Sequence, residues 1–113
     1  MAIVLKNLAR AQLSATAGTL VYSAPTSPAR AAVVTSIRLV NRGTSSATVN
    51  LYVNTAPGIS SFALIPAGLV IPPKYEVSDD TEVTLASGEG VYGDVSASGS
   101  VDIVLSGFER DVV

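Results

Sequence analysis

From residue 33 to residue 53 the large apolar side chains fall on alternate positions: Val33, Ile37 and Leu39, then Val49, Leu51 and Val53. Ser36 and Arg38 fill the gaps in the first run, and Thr48, Asn50 and Tyr52 fill those in the second. A period of two sets one row of side chains on a buried sheet face and the other toward solvent. Between the runs lies Asn41-Arg42-Gly43-Thr44-Ser45-Ser46, rich in residues that tolerate turn geometry. The two runs are expected to form a β-hairpin over about 31–41 and 47–53. A chain written mostly in this period is confined to sheets.

The same pattern recurs along the chain. Residues 20–23 read as a strand, stopped by Ala24-Pro25-Thr26-Ser27-Pro28, whose prolines have no amide to give a ladder. Asn54-Thr55-Ala56-Pro57-Gly58 turns into a strand at 62–65, and Pro66-Ala67-Gly68 into another at 69–71 that Pro72-Pro73 halts. Residues 81–85, 91–95 and 101–105 alternate again, separated by Ser87-Gly88-Glu89-Gly90 and Ala97-Ser98-Gly99. About eight short strands, with turn signals every 8–12 residues or so, is the spacing of an antiparallel sandwich or barrel. The expected fold class is all-β: a single antiparallel β-sandwich of jelly-roll type with an N-terminal arm or short helix. Leu5, Leu8 and Leu13 could share one side of a short helix, and an extended arm fits residues 1–17 equally well. The division is therefore 1–17 for the arm and 18–113 for the sandwich.

At 113 residues the chain is one domain with a core of its own. The net charge of −2 argues against a partner held by phosphate contacts, and Lys6, Arg10, Arg30, Arg38, Arg42, Lys74 and Arg110 form no cluster, so no nucleic-acid partner is expected. Charged residues are 14%, against about 25% in an ordinary soluble domain. A surface so poor in charge suits a subunit covered by its neighbours. No stretch approaches the roughly 20 apolar residues of a membrane helix, so no membrane partner is expected. The opening Met1-Ala2-Ile3-Val4-Leu5-Lys6 lacks the order of a signal peptide, which places synthesis in a cytoplasm with no address for export.

Histidine and cysteine are absent, which removes the commonest general base, the thiolate nucleophile and the usual ligands of zinc. No serine lies in a nucleophile elbow, and Gly88-Glu89-Gly90 reads as a hairpin turn with no helix to make it a phosphate loop. Carboxylates are the remaining chemical resource. Glu76, Asp79, Asp80 and Glu82 form an acidic patch whose spacing matches no calcium loop, and Ser78-Asp79-Asp80-Thr81 reads as a solvated turn. If that patch binds anything, a calcium ion or a basic partner surface suits it better than a substrate. No catalytic residue, cofactor or metal site is assigned, and no enzymatic activity is expected. Tyr52 and Tyr92 fall on the outward phase and would make a small carbohydrate platform if their strands are neighbours. Val34, Val40, Tyr52 and Val104 are apolar at outward positions, the mark of a subunit interface on one sheet face. The candidate interface residues are these four with Tyr92 and, from the arm, Ile3, Leu5, Leu8 and Leu13.

Thr19-Leu20-Val21-Tyr22-Ser23-Ala24-Pro25, Ala32-Val33-Val34-Thr35-Ser36-Ile37, Val40-Asn41-Arg42-Gly43 and Ala47-Thr48-Val49 resemble a pattern common in small virion proteins of tailed bacteriophages. In the C-terminal half, Leu85-Ala86-Ser87-Gly88-Glu89 and Val104-Leu105-Ser106-Gly107-Phe108-Glu109 fit it too, with Glu89 where such proteins usually carry Asp. The resemblance covers residues 10–110 or so and consists of turn and strand signatures with no reactive group. It implies a structural virion subunit, either a capsid decoration or cement protein or a tail, neck or fibre component. Its partners would be the major capsid protein or other virion proteins and copies of itself, a trimer being favoured, with residues 1–16 as an arm reaching a neighbour.

Overall fold

A computed structural model describes residues 3–54, 62–66, 68–80, 82–97 and 99–111. Its strands are β1 (Ile3–Gln12), β2 (Thr19–Ser23), β3 (Arg30–Asn41), β4 (Ala47–Asn54), β5 (Phe62–Ala63), β6 (Leu69–Ile71), β7 (Glu76–Asp79), β8 (Val83–Leu85), β9 (Gly90–Val95) and β10 (Val101–Asp111). No helix occurs among the described residues. The strands form two antiparallel sheets that face each other across one core. The first runs β1-β10-β3, with β7 and β8 end to end along the far side of β3; the second runs β2-β9-β4, with β5 and β6 along the far side of β4. The chain is thus one long hairpin, β1 to β4 pairing with β5 to β10 in reverse order, rolled into a sandwich. This is the expected jelly roll. Ten strands fill eight places, because β5 with β6 and β7 with β8 each share one.

Two expectations about neighbours are corrected. The runs 31–41 and 47–53 are strands, but they are not a hairpin: β3 pairs with β10, β7 and β8, while β4 pairs with β9, β5 and β6. Their apolar rows meet face to face across the core, and alternation is the same whether two strands lie side by side or opposite. Asn41 fixes the crossing. Its Nδ2 donates to the carbonyls of Ser45 and Ile71, each at 2.9 Å, and its Oδ1 accepts the Gly43 N–H at 2.9 Å. The same side chain thereby holds the start of the second crossing, where Pro72-Pro73-Lys74-Tyr75 turns with Lys74 at φ 65° and the Tyr75 N–H on the Pro72 carbonyl.

The N-terminal segment is neither a helix nor a detached arm. β1 is in register with β10 from Ile3 opposite Arg110 to Gln12 opposite Asp102. The modest helix preference of Leu-Ala-Arg-Ala yields to the open ladder of β10, since propensity is a weak prior beside tertiary pairing. A bulge at Leu8 interrupts this ladder, between the pairs Asn7–Ser106 and Ala9–Leu105, and Leu8 and Leu13 join the core.

A second bulge changes the phase of β3. Ser36 pairs with Ser106 and Val34 with Gly107, leaving Thr35 unmatched. Ala32 and Val34 are buried on one side of the bulge, and Ile37, Leu39 and Asn41 on the other. Val34 is fully buried, which corrects its outward placement, and Val33 is only half-buried. Gly107 is required here: a Cβ on it would lie 1.9 Å from the Val33 carbonyl oxygen. The core between the sheets is built on Leu39, Leu51, Ile71, Leu85, Ile103 and Leu105, all at most 2% exposed.

Candidate functional site

The outer face of the first sheet carries Val40 and Val104 as half-buried apolar positions, alternating with the buried Leu39, Asn41, Ile103 and Leu105. Phe108 is half-buried too and lies in register with Val33. Two ion pairs lie beside this strip, Arg38 to Glu76 at 2.6 Å and Arg42 to Asp102 at 2.9 Å, and Arg10 stands opposite Val104. Such exposed pairs contribute little to stability, but each pair is locally neutral. An open groove of about 470 Å³ runs along the β1–β10 seam, lined by Arg10, Ala11, Gln12, Asp102, Ile103 and Val104. Ile3 and Leu5 lie on the same seam, in register with Arg110 and Phe108. Of the nine candidate interface residues, Val40 and Val104 are thus brought to the outer face of the first sheet, and Ile3 and Leu5 to its β1–β10 seam.

The other candidates are covered. Tyr52 and Tyr92 are direct cross-strand neighbours on β4 and β9, with ring centroids 6.2 Å apart and planes 16° from parallel. They lie on the face of the second sheet away from the core, as their phase predicts, yet they are only 8% and 5% exposed. That leaves no open aromatic platform, which corrects the expectation of one. Burial first, then the Asp94 charge, raises the Tyr52 phenol above its ordinary pKa, while a backbone N–H from Gly18 opposes the shift. Beside the rings Asn50 donates to Asp94 at 2.9 Å and accepts the Gly68 N–H at 2.8 Å.

A polar cluster at one end of the sandwich was missed by sequence reasoning. Glu109 is 1% exposed and points between the sheets. It accepts a hydrogen bond from the Tyr22 hydroxyl, at 2.5 Å, and pairs with Arg30 at 3.4 Å; Arg30 in turn reaches Asp111 at 3.1 Å. Tyr22 belongs to the second sheet and the other three to the first, so the cluster ties the two layers together. Burial, then the bond to Glu109, pushes the Tyr22 phenol well above its ordinary value. The signal lay in the phase of the last strand, where Val101, Ile103, Leu105, Gly107 and Glu109 share the inward face. Among the described residues no buried side-chain nitrogen or oxygen lacks a partner.

The acidic residues lie along the first sheet's far edge. Glu76 and Asp79 are in β7, Asp80 follows it and Glu82 precedes β8. The expected turn at 78–81 begins later than its residues suggested, since Ser78 and Asp79 pair with Arg38 and Ile37. Among the described residues, no three His, Cys, Asp or Glu side chains gather to hold a metal ion. The turn at 87–90 is likewise a crossing and not a hairpin. It carries the chain from β8 in the first sheet to β9 in the second, closed by the Glu89 N–H on the Ala86 carbonyl at 2.9 Å and by Glu89 Oε1 on the Ala86 N–H at 2.7 Å.

Fold and surface together define a small antiparallel β-sandwich with a partly apolar outer sheet face. Compared with known proteins, the chain matches no family, no curated protein and no solved structure.

Proposed function

We propose that this chain is a non-enzymatic structural subunit of a tailed-phage virion, acting as a capsid decoration or cement protein. The observation that carries the reading is the outer face of the first sheet, where Val40, Val104 and Phe108 lie half-buried beside the ion pairs Arg38–Glu76 and Arg42–Asp102. A neighbour can cover both of these pairs without stranding either charge of a pair. The phage-like turn and strand signatures and the low charge content support the same reading. Binding across capsomer joints would stabilise the assembled shell over loose subunits by mass action. A tail, neck or fibre position is the second reading, supported by the same face. A carbohydrate-binding role gains nothing from the covered Tyr52 and Tyr92 rings.

The test is to mix the purified protein with undecorated capsids, follow co-sedimentation and image the particles by cryo-electron microscopy. Saturable occupancy of fixed lattice positions is the expected result. Labelling of intact virions at the tail or neck, without capsid binding, moves the assignment to the tail apparatus. Failure to label virions anywhere removes the structural reading.

A further inference from the structure

The first sheet ends in two edges of opposite charge. On one side lies β1, with sequence Ile-Val-Leu-Lys-Asn-Leu-Ala-Arg-Ala-Gln, which carries Lys6 and Arg10 and no carboxylate. On the other lie β7 and β8, whose stretch from residue 76 to residue 85 carries Glu76, Asp79, Asp80 and Glu82 and no cation. Asp80 and Glu82 are exposed. An edge strand presents a row of backbone donors and acceptors that can template another strand. Among the described residues, β1 pairs only with β10, and β7 and β8 only with β3.

We infer that the partner of each edge is the opposite edge of a second copy of this chain, joined head to tail so that the first sheets of successive copies continue one another. Strand direction permits it. β1 runs antiparallel to β10, β10 to β3, and β3 to β7 and β8, so a second copy's β1 laid beside β7 and β8 keeps the alternation intact. Position permits it as well. Arg10, Val104, Arg38 and Ser78 are at one level of the sheet, and Lys6, Gly107, Val34 and Val83 at another. Joined without offset, Arg10 of one copy comes level with Ser78 of the next, on the sheet face that carries Glu76, the ion-pair partner of Arg38, and Lys6 comes level with Val83.

The two edges are also broken at the same height. The bulge at Leu8 interrupts β1 where the gap between Asp79 and Val83 separates β7 from β8, and the Thr35 bulge lies on the line between them. Each edge therefore offers two short ladders with matching interruptions. A two-fold β1–β1 contact is equally antiparallel, but it brings cation to cation, and charge decides against it. A head-to-tail contact repeats, and closes into a ring when its rotation allows. The inference rests on association between copies, which the resemblance to virion proteins implies, and not on the capsid.

The experiment is light scattering with size exclusion, together with native mass spectrometry, on the full chain and two double variants. Lys6→Glu/Arg10→Glu makes both edges acidic, and Asp80→Lys/Glu82→Lys leaves β1 basic and makes the far edge neutral. Wild type is expected as a ring larger than a dimer that loosens at high salt. Each double variant is expected as a folded monomer by circular dichroism, with association weakened roughly 100-fold or more. Mixing the two variants restores complexes containing both. A monomeric wild type overturns the inference, as does an Asp80→Lys/Glu82→Lys variant that keeps the wild-type assembly, or a mixture that stays monomeric. Loss of capsid binding with the charge-swap pattern intact removes only the virion reading.

Discussion

In the first sheet Glu109 points into the sandwich and is 1% exposed, whereas in the second Tyr52 and Tyr92 point away from it and are still only 8% and 5% exposed. The inward carboxylate is stabilised by partners, Tyr22 and Arg30, that neutralise and bond it. The outward rings stack on each other, and the Tyr52 phenol meets the Gly18 backbone. Which face a residue occupies and how far it is buried are therefore separate properties. Phase sets the first, and the sheet's local cover sets the second.

The largest expected effect strikes the first sheet's own geometry. Gly107→Ala must push the backbone of Val33 away, so it should cost more than about 3 kcal/mol and loosen β3 from β10. Chemical denaturation reads the loss, and a near-wild-type midpoint would mean that the bulge at Thr35 adapts freely. Next come the two burial modes set side by side. Glu109→Ala leaves Arg30 and the Tyr22 hydroxyl without their shared acceptor and should cost about 3 kcal/mol. Tyr92→Ala removes one covered ring from the second sheet and should cost about 2 kcal/mol. A reversed order would make the outer face of the second sheet the more important seam.

The smallest effect is a pH dependence. Both Tyr22 and Tyr52 have phenols whose pKa is raised above 10.0 by folding. The folded chain keeps these protons where the unfolded chain loses them, so their contribution is complete below pH about 10 and declines as pH rises beyond it. Unfolding free energy measured at rising alkaline pH should fall above that point. Tyr22→Phe should flatten the fall more than Tyr52→Phe, because the Tyr22 phenol has the larger shift and bonds the Glu109 carboxylate. Equal slopes in all three proteins would remove phenol burial as the cause.

Most strand positions, though not β1 or β7, and the inward phase of β10 were legible because a period of two is a local property of the chain. Val101, Ile103 and Leu105 needed no partner to be read as core. Partnership itself was not legible. Ile37 and Leu51 carry the same alternation whether their strands share a ladder or face each other, and only the crossing held by Asn41 decides it. Val34 was misplaced because one unmatched residue, Thr35, reverses the phase, and nothing in its side chain announces a bulge. β1 could not be told from an arm or a short helix because its pairing lies wholly in residues at the other end of the chain. Of the surface, the phase of Val40 and Val104 was readable, and the opposed charges of the two edges emerged only once their strands had neighbours.

The rolled-up hairpin also sets a timetable for biosynthesis. β1 and β3 flank β10, so neither can finish its ladder until residues 101–111 have been made. During translation the first half of the chain must therefore wait, holding Val34, Ile37 and Leu39 without their final cover. Nearby contacts are confined to the tip of the hairpin, where β4 meets β5, so folding should be slow and largely completed after synthesis of the last strand. Protection of that waiting half is a demand that the cell making this protein has to meet.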